Sequence, residues 1–483
     1  MKQIKFGTDG WRAIVGDDFT PENIAKVIQA FADLYPTLPE AGRPVVIGYD
    51  KRNQSPEAAK QIAEILLAND IETIFSETYC PTPTVSWYVK NKGAAAGIMV
   101  TASHNPPQWN GIKFKESYGG AASAEYIKPI EDKIVENDKT GRKAKTTSME
   151  NHPKLKTFDP FDEYMGSFSE FIDLNLIRNS GFKIMFDPLF GSGIGYMTKL
   201  LGNMITAIHT EDDVNFGGLN PEPIPPHANE LMERVKAGDF SCGLLTDGDA
   251  DRAGAVDENG NFITTHEVYS LLIRHIVENK GWKGKIIKSI STTRMIDRLA
   301  KKYGFELGTT PVGFKYISPA MKEKGVMVGG EESGGFGFPR HIPERDGVFS
   351  DLLLLEYMAT NKKTLGNLVA DLQKEFGPTK YKRIDFHLDQ TKINEVREKM
   401  KTLNIDQVDG HKVVHHETMD GHHFLFDNDS WLLFRASGTE PLIRIYAEAP
   451  NMDEVEKFLE FGKKTSRAVI DLSSRTVKLS FRT

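Results

Sequence analysis

Three times along this chain a short apolar run is followed by an amphipathic stretch and then by another apolar run, and that rhythm restricts the fold more than any other feature. Residues 44–49 (PVVIGY) read as a buried strand. Ser55-Pro56-Glu57 gives a helix N-cap with proline at the first helical position, and the helix runs to residue 67. Residues 71–75 and 97–101 (GIMVT) are the next strands. Such alternation implies a parallel sheet with crossover helices.

The rhythm repeats after a polar, charged stretch at 137–157. A strand at 182–186 runs into Phe190-Gly191-Ser192-Gly193 and a helix, with further strands at 205–209 and 243–246. A third round has helices at 267–279 and 295–303 and strands at 285–290 and 326–329. From about Gly377 the pattern changes to strand, helix, hairpin-like region, a strand at 442–448 and a helix from Asp453. This is an α+β arrangement. The expected domains are 1–152, 153–262 and 263–376, all α/β, then 377–483, and at roughly 150 residues per domain a chain of 483 residues accommodates them.

Composition excludes several classes. With 60 Lys+Arg against 67 Asp+Glu the net charge is −7, which argues against an electrostatic nucleic-acid binder. The two cysteines, Cys80 and Cys242, are too few for a disulfide scaffold and fit a reducing compartment. No apolar run approaches the roughly 18 residues of a membrane span. Residues 352–355 are cut off by Asp351 and Glu356, and the first ten residues lack the apolar region of a signal peptide. A cytoplasmic protein without membrane or nucleic-acid partners is expected.

Four segments carry chemistry. Thr101-Ala102-Ser103-His104-Asn105-Pro106-Pro107 follows a buried strand, where α/β proteins bind ligands. Ser103 there is a candidate nucleophile, with His104 or Lys113 as its partner, although an isolated serine before Pro-Pro is more often a turn residue. Asp247-Gly248-Asp249-Ala250-Asp251-Arg252 places three carboxylates at alternate positions, which repel unless a hard cation such as Mg²⁺ or Ca²⁺ joins them. An EF-hand reading, with Glu258 at position twelve, is disfavoured because Arg252 stands where that loop needs glycine and a strand precedes it. Gly329-Gly330-Glu331-Glu332-Ser333-Gly334-Gly335 offers Glu331 and Ser333 to hydroxyl groups. Arg435-Ala436-Ser437-Gly438-Thr439-Glu440-Pro441, with Arg444 beyond, offers a guanidinium and short donors to a phosphate. Gly191-Ser192-Gly193 lacks a dinucleotide fingerprint and reads as a tight strand–helix turn. His415, His416, His422 and His423 are expected to lie solvated on a hairpin.

Together these segments resemble the α-D-phosphohexomutase family, the phosphoglucomutases and phosphomannomutases, from Phe6 to about Ala447. The resemblance implies three topologically related α/β domains with mixed sheets and a C-terminal α+β domain around a central cleft. It implies that Ser103 carries the phosphoryl group and that Asp247, Asp249 and Asp251 bind one Mg²⁺ together with an oxygen on that group. Arg12, Lys113 and Arg252 would surround the transferring phosphoryl. Glu331, Ser333 and Lys315 would contact the sugar, and Arg435, Ser437, Gly438, Thr439 and Arg444 the phosphate that is not reacting. The implied substrate is a phosphosugar, with glucose 1,6-bisphosphate as intermediate and activator, in a monomer or homodimer. The general base stays open among Lys113, His104 and Lys315. Dual-specificity glucose/mannose members carry histidine where this chain has Gly335, and again after the Val-Gly that here precedes Phe314 and Lys315. Both departures, and the Glu331-Glu332 pair, point to glucose. A phosphomannomutase, a phosphoglucosamine mutase, a metal-dependent serine phosphatase and a calcium-binding protein are the alternatives.

Overall fold

The structure, a computed structural model, describes residues 4–7, 9–388, 393–436 and 442–471. These divide into two compact units. One comprises the residues up to Ile287 with Gly313–Val369, and the other Lys288–Val312 with the residues from Ala370 onward.

In the first unit a six-stranded sheet runs in the order Trp11–Ile14, Trp109–Glu116, Ala96–Val100, Val45–Tyr49, Thr73–Ser76, Leu155–Phe158. The last four of these pair in parallel, and the first two attach antiparallel. Val45 and Ile47 share one face with Ala59 and Ile62 of helix Ser55–Ala68 and with Phe31 of helix Pro21–Leu34. On the other face, a Cβ at Gly48 would come within 2.4 Å of Val85, so helix Thr82–Asn91 lies directly against the strand. Each buried Ile or Val here contributes on the order of 1.5–3 kcal/mol by transfer from water.

A second sheet orders Phe262–Ile263, Ala253–Val256, Cys242–Thr246, Ile184–Asp187 and Ile205–Ala207. Its last three strands are parallel and its first two antiparallel. Val326–Gly330, Phe336–Phe338 and Ile342–Arg345 form an antiparallel meander.

The second unit holds a wholly antiparallel sheet in the order Lys380–His387, Leu442–Ala449, Trp431–Ala436, His422–Phe426, His411–Glu417, Gln407–Val408. Strand alternation puts Leu432 and Phe434 in a core with Phe458 and Leu459 of helix Met452–Asp471, while Trp431 and Leu433 pack with Ile290 and Tyr446 on the other face. The element order is that of three α/β domains with mixed sheets followed by an antiparallel-sheet domain.

Several expectations need correction. Ser55 is not the N-cap of its helix: Gln54 holds that position with φ +64°, and the Ser55 hydroxyl donates to Asp50 at 2.7 Å. The first sheet is mixed rather than parallel because Trp109–Glu116 enters it, a strand whose Lys113 and Lys115 are buried against carboxylates. The stretch at 137–157 ends in an edge strand, Leu155–Phe158, whose Lys156 and Thr157 are exposed. The four histidines do lie on a hairpin, but only His415 and His416 are exposed. His422 and His423 are buried, and burial foremost pushes His422 down to about 4 and His423 to about 3.

Residues 352–355 belong to helix Gly347–Asn361, which is buried through Ala359. Among the described residues no helix is long and apolar enough to cross a membrane. Asp351 sits inside that helix, and neither of its carboxylate oxygens has a hydrogen-bond partner. Burial first, then Asp346, pushes its pKa well above the ordinary 3.8. A carboxyl raised in this way adds stability below its unfolded pKa and loses it as pH climbs through the folded value. Asp351→Asn should therefore gain on the wild type in unfolding experiments as pH rises from about 4, reaching about 1–3 kcal/mol. Parallel stability–pH curves for the two proteins would contradict this.

Candidate active site

Ser103 is the third residue after strand Ala96–Val100 and is fully buried. Its φ of +53° is left-handed, which costs a non-glycine residue about 1–2 kcal/mol. Its N–H donates to Thr101 Oγ1 at 2.9 Å, and its carbonyl accepts from Arg52 Nη2 at 2.6 Å. So held, Ser103 Oγ donates to Asp247 Oδ2 at 2.9 Å and lies 3.4 Å from His104 Nδ1.

The aspartate loop leaves strand Cys242–Thr246 at its carboxyl end, and all three aspartates are fully buried. Asp247 Oδ1 accepts from the N–H groups of Asp251 and Arg252 at 3.0 and 3.1 Å, folding the loop back on itself. Asp249 Oδ2 accepts from the Thr82 hydroxyl and, at 2.7 Å, from Lys113 Nζ. Asp251 Oδ2 is 2.9 Å from Lys113 Nζ and 2.7 Å from Arg345 Nη2. The other oxygens of Asp249 and Asp251 have no hydrogen-bond partner. One oxygen from each aspartate lies within 4.8 Å of the others. Orphaned, buried carboxylate oxygens in this number are what a hard divalent cation requires. Glu258 stands apart, accepting from Thr364 Oγ1 at 2.7 Å and Gly366 N at 3.0 Å, which removes the EF-hand reading.

Two glycines allow the loops to meet. A Cβ on Gly248 would fall 2.5 Å from the Ser103 carbonyl oxygen, and one on Gly191 would fall 2.7 Å from the Gly248 oxygen. The tight turn at Gly191-Ser192-Gly193 thus backs the aspartate loop, with Ser192 N donating to the Gly248 carbonyl at 2.9 Å.

Charge is balanced locally. Burial pushes Asp247 well above the usual carboxylate range, reinforced by Asp249 and Asp251. Burial works the same way on Asp249, but Lys113 and the Thr82 hydrogen bond overcome it and hold its pKa down. Burial alone would lower Lys113, yet Asp249, Asp251 and Asp9 (2.8 Å away) push it up. Burial, then Arg252, Arg12, Lys113 and Arg52, holds His104 well below 6.5. Arg12 donates to Asn105 Oδ1, and Arg252 lies 3.8 Å from Asp247 and 3.7 Å from Glu222.

Glu331 and Ser333 are joined by a 2.7 Å hydrogen bond, and Arg345 Nη1 stands 3.3 Å from Glu331. Arg345 also pairs with Asp9, so it bridges the aspartate loop and the glycine-rich loop. Lys315 lines a cavity of about 440 Å³ together with Asp9, Gly10 and Glu131. In the second unit, Arg435 and Arg444 are directly opposite on paired strands, Arg435 bonded to Asp420 at 2.8 Å and Arg444 lying 3.8 Å from Asp385. Ser437, Gly438 and Thr439 fall outside the described residues.

Sequence reasoning missed Asp9, Asp50, Arg52, Thr82 and Arg345. Asp50 and Arg52 could have been found, since they follow strand Val45–Tyr49 at its carboxyl end, the same position that singled out Ser103. Arg345 carries no comparable signal.

Family profiles match the chain in four consecutive stretches. Residues 3–141, 162–260 and 264–376 match the phosphoglucomutase/phosphomannomutase alpha/beta/alpha domains I, II and III, and residues 393–461 match the C-terminal domain. A phosphoglucomutase/phosphomannomutase of Thermococcus kodakarensis is 32% identical, covering 95% of this chain and 97% of its own. A Pyrococcus abyssi protein provisionally named phosphoglucosamine mutase is also 32% identical, covering 97% and 99%. A crystal structure from Thermus thermophilus, provisionally described as a phosphomannomutase, is 30% identical with a TM-score of 0.84 over 96% of this chain and 99% of that one. The chain belongs to the phosphoglucomutase/phosphomannomutase family of the α-D-phosphohexomutase superfamily, enzymes that are intramolecular phosphotransferases.

The closeness of the two loops generates a prediction. Gly248→Ala forces a methyl into the Ser103 carbonyl, and equilibrium unfolding should register a loss of about 1–3 kcal/mol. A variant as stable as the wild type would show that the loops do not press on each other.

Proposed function

We propose that this chain interconverts α-D-glucose 1-phosphate and glucose 6-phosphate through a phosphoryl group carried on Ser103. The observation that carries the reading is the 2.9 Å contact between Ser103 Oγ and Asp247 at the edge of the buried aspartate trio. The phosphoryl on Ser103 passes to the free 6-hydroxyl of glucose 1-phosphate, whose proton leaves to a base, giving glucose 1,6-bisphosphate. After reorientation the 1-phosphoryl returns to Ser103 and glucose 6-phosphate leaves. Phosphoryl transfer needs positioning and charge neutralisation above all.

Lys113, Arg12 and Arg252 supply positive charge around Ser103, and Arg345 fixes Asp251 and Glu331. Asp247, Asp249 and Asp251 would hold Mg²⁺ with an oxygen on phospho-Ser103. When bound, Mg²⁺ would neutralise charge on the transferring phosphoryl. Glu331, Ser333 and Lys315 are assigned to the sugar. The adjacent Arg435 and Arg444, with Ser437, Gly438 and Thr439, are assigned to the other phosphate. Arg435 and Arg444 stand opposite each other on paired strands, so two guanidinium groups sit on one patch of the sheet, each beside a carboxylate.

Glucose is favoured by Gly335. A Cβ there would fall 2.2 Å from Arg345 Cδ, so a histidine could enter only by moving the residue that holds Asp251 and Glu331. Relatives named for mannose and glucosamine keep those sugars as the second reading.

A coupled assay of glucose 6-phosphate formation with Mg²⁺ and trace glucose 1,6-bisphosphate tests this. Turnover should fall about 1,000-fold or more in Ser103→Ala. Comparable rates on mannose or glucosamine 1-phosphate would overturn the glucose assignment, and phosphate release without isomerisation would indicate a phosphatase.

The metal assignment has its own test in thermal unfolding. Mg²⁺ at about 100 times its dissociation constant should stabilise the wild type by about 2.7 kcal/mol. EDTA should reverse the effect, and Asp249→Ala should abolish it. A wild type indifferent to Mg²⁺ would refute the assignment.

A further inference from the structure

We propose that Arg52 is a positioning residue for phosphoryl transfer, a clamp that holds the Ser103 loop in the conformation that aims its hydroxyl at the aspartate trio. The inference rests on the reading of Ser103 as the phosphoryl carrier. Arg52 is 1% exposed. Its Nη2 donates to the carbonyls of Ser103 and Asn105, both at 2.6 Å, and its Nη1 to those of Pro106 and Trp109 at 3.0 and 3.1 Å. One planar fork thus gathers three carbonyls of residues 101–108, a loop without regular secondary structure, together with the carbonyl of Trp109, the first residue of the strand that follows.

The clamp is itself anchored. Arg52 Nε lies 3.3 Å from Asp50 Oδ2, and Arg52 N donates to Asp50 Oδ1 at 3.0 Å. Asp50 also accepts from the hydroxyls of Ser55 (2.7 Å) and Thr101 (2.6 Å), and Thr101 in turn accepts from Ser103 N. The ring of Phe216 covers the guanidinium at 4.8 Å. The left-handed Ser103 is therefore fixed from both sides, by Thr101 at its N–H and by Arg52 at its carbonyl. Neither Arg52 nor Asp50 touches Ser103 Oγ, so their effect on chemistry passes through the loop backbone. Lysine keeps the charge but cannot span four carbonyls with one ammonium group.

The test compares the full-length wild type, Arg52→Lys and Asp50→Asn, with Ser103→Ala as control. Turnover by Arg52→Lys should fall about 100-fold, the scale expected for misplacing a reacting group, while KM for glucose 1-phosphate stays within about threefold. Phosphorylation of Ser103 by glucose 1,6-bisphosphate, followed by intact mass, should slow by a similar factor. Amide exchange should quicken across residues 102–109 and not in strand Val45–Tyr49. Asp50→Asn should move each readout in the same direction by less, and it carries the test if Arg52→Lys does not fold. Unchanged exchange and turnover would overturn the clamp. Faster exchange throughout the first sheet with kcat per titrated site unchanged would also overturn it, as a purely structural role. A wild type without Ser103-dependent turnover would refute the mutase reading instead, and the exchange measurement alone would then decide the clamp.

Discussion

Three aspartates buried together in a low-dielectric interior repel one another, and the architecture of the first unit follows from how that repulsion is answered. Lys113 reaches Asp9, Asp249 and Asp251 from the strand beside the one that delivers Ser103. Arg345 adds a second cation, tied to Asp9, Asp251 and Glu331. Removing one partner of such a network leaves an uncompensated buried charge, which is far costlier than losing an exposed ion pair. Two oxygens remain without a hydrogen-bond partner, on Asp249 and Asp251, and that residual acceptor capacity is what a cation could use.

The same network explains why so many parts of the chain are drawn to one place. The serine loop, the aspartate loop and the glutamate loop each begin at the carboxyl end of a strand, after Val100, Thr246 and Gly330. Backbone at strand ends points its groups into open space, and side chains there are free to converge. Glycine supplies the clearance where two loops touch, as at Gly248 against Ser103, and where a loop passes a side chain, as at Gly335 against Arg345. Ser103 is held through its backbone, by Thr101 at its N–H and by Arg52 at its carbonyl, and Asp50 anchors Thr101 in turn.

Much of this was legible in the chain. Apolar runs placed the central strands of the first two sheets to within two or three residues, because a strand buried on both faces has no polar positions to confuse the pattern. The aspartate trio was legible because three carboxylates at alternate positions of one short loop repel one another, whereas Ser103, an ordinary turn residue by itself, stood out only through the resemblance of the four segments taken together. The strand Trp109–Glu116 was not identified, and the burial of its Lys113 and Lys115 depends on carboxylates from distant segments. The histidine hairpin misled as well. His422 and His423 are polar by type, but their strand is covered on both faces by apolar residues of the second unit.

Apolar periodicity and short motifs were enough to place the central strands of the first two sheets, the strand ends at which chemistry collects, and the family. Those properties are local, set by the period of apolar residues and by motifs a few residues long. Tertiary structure alone decided which cation answers which carboxylate. It paired Lys113 with Asp249 across 136 positions of sequence and Arg345 with Asp9 across 336. It also set Arg52 under the Ser103 loop, 51 positions away. Interactions at such separations leave no periodicity to read, because they exist only once the intervening chain has folded and removed water from between the charges.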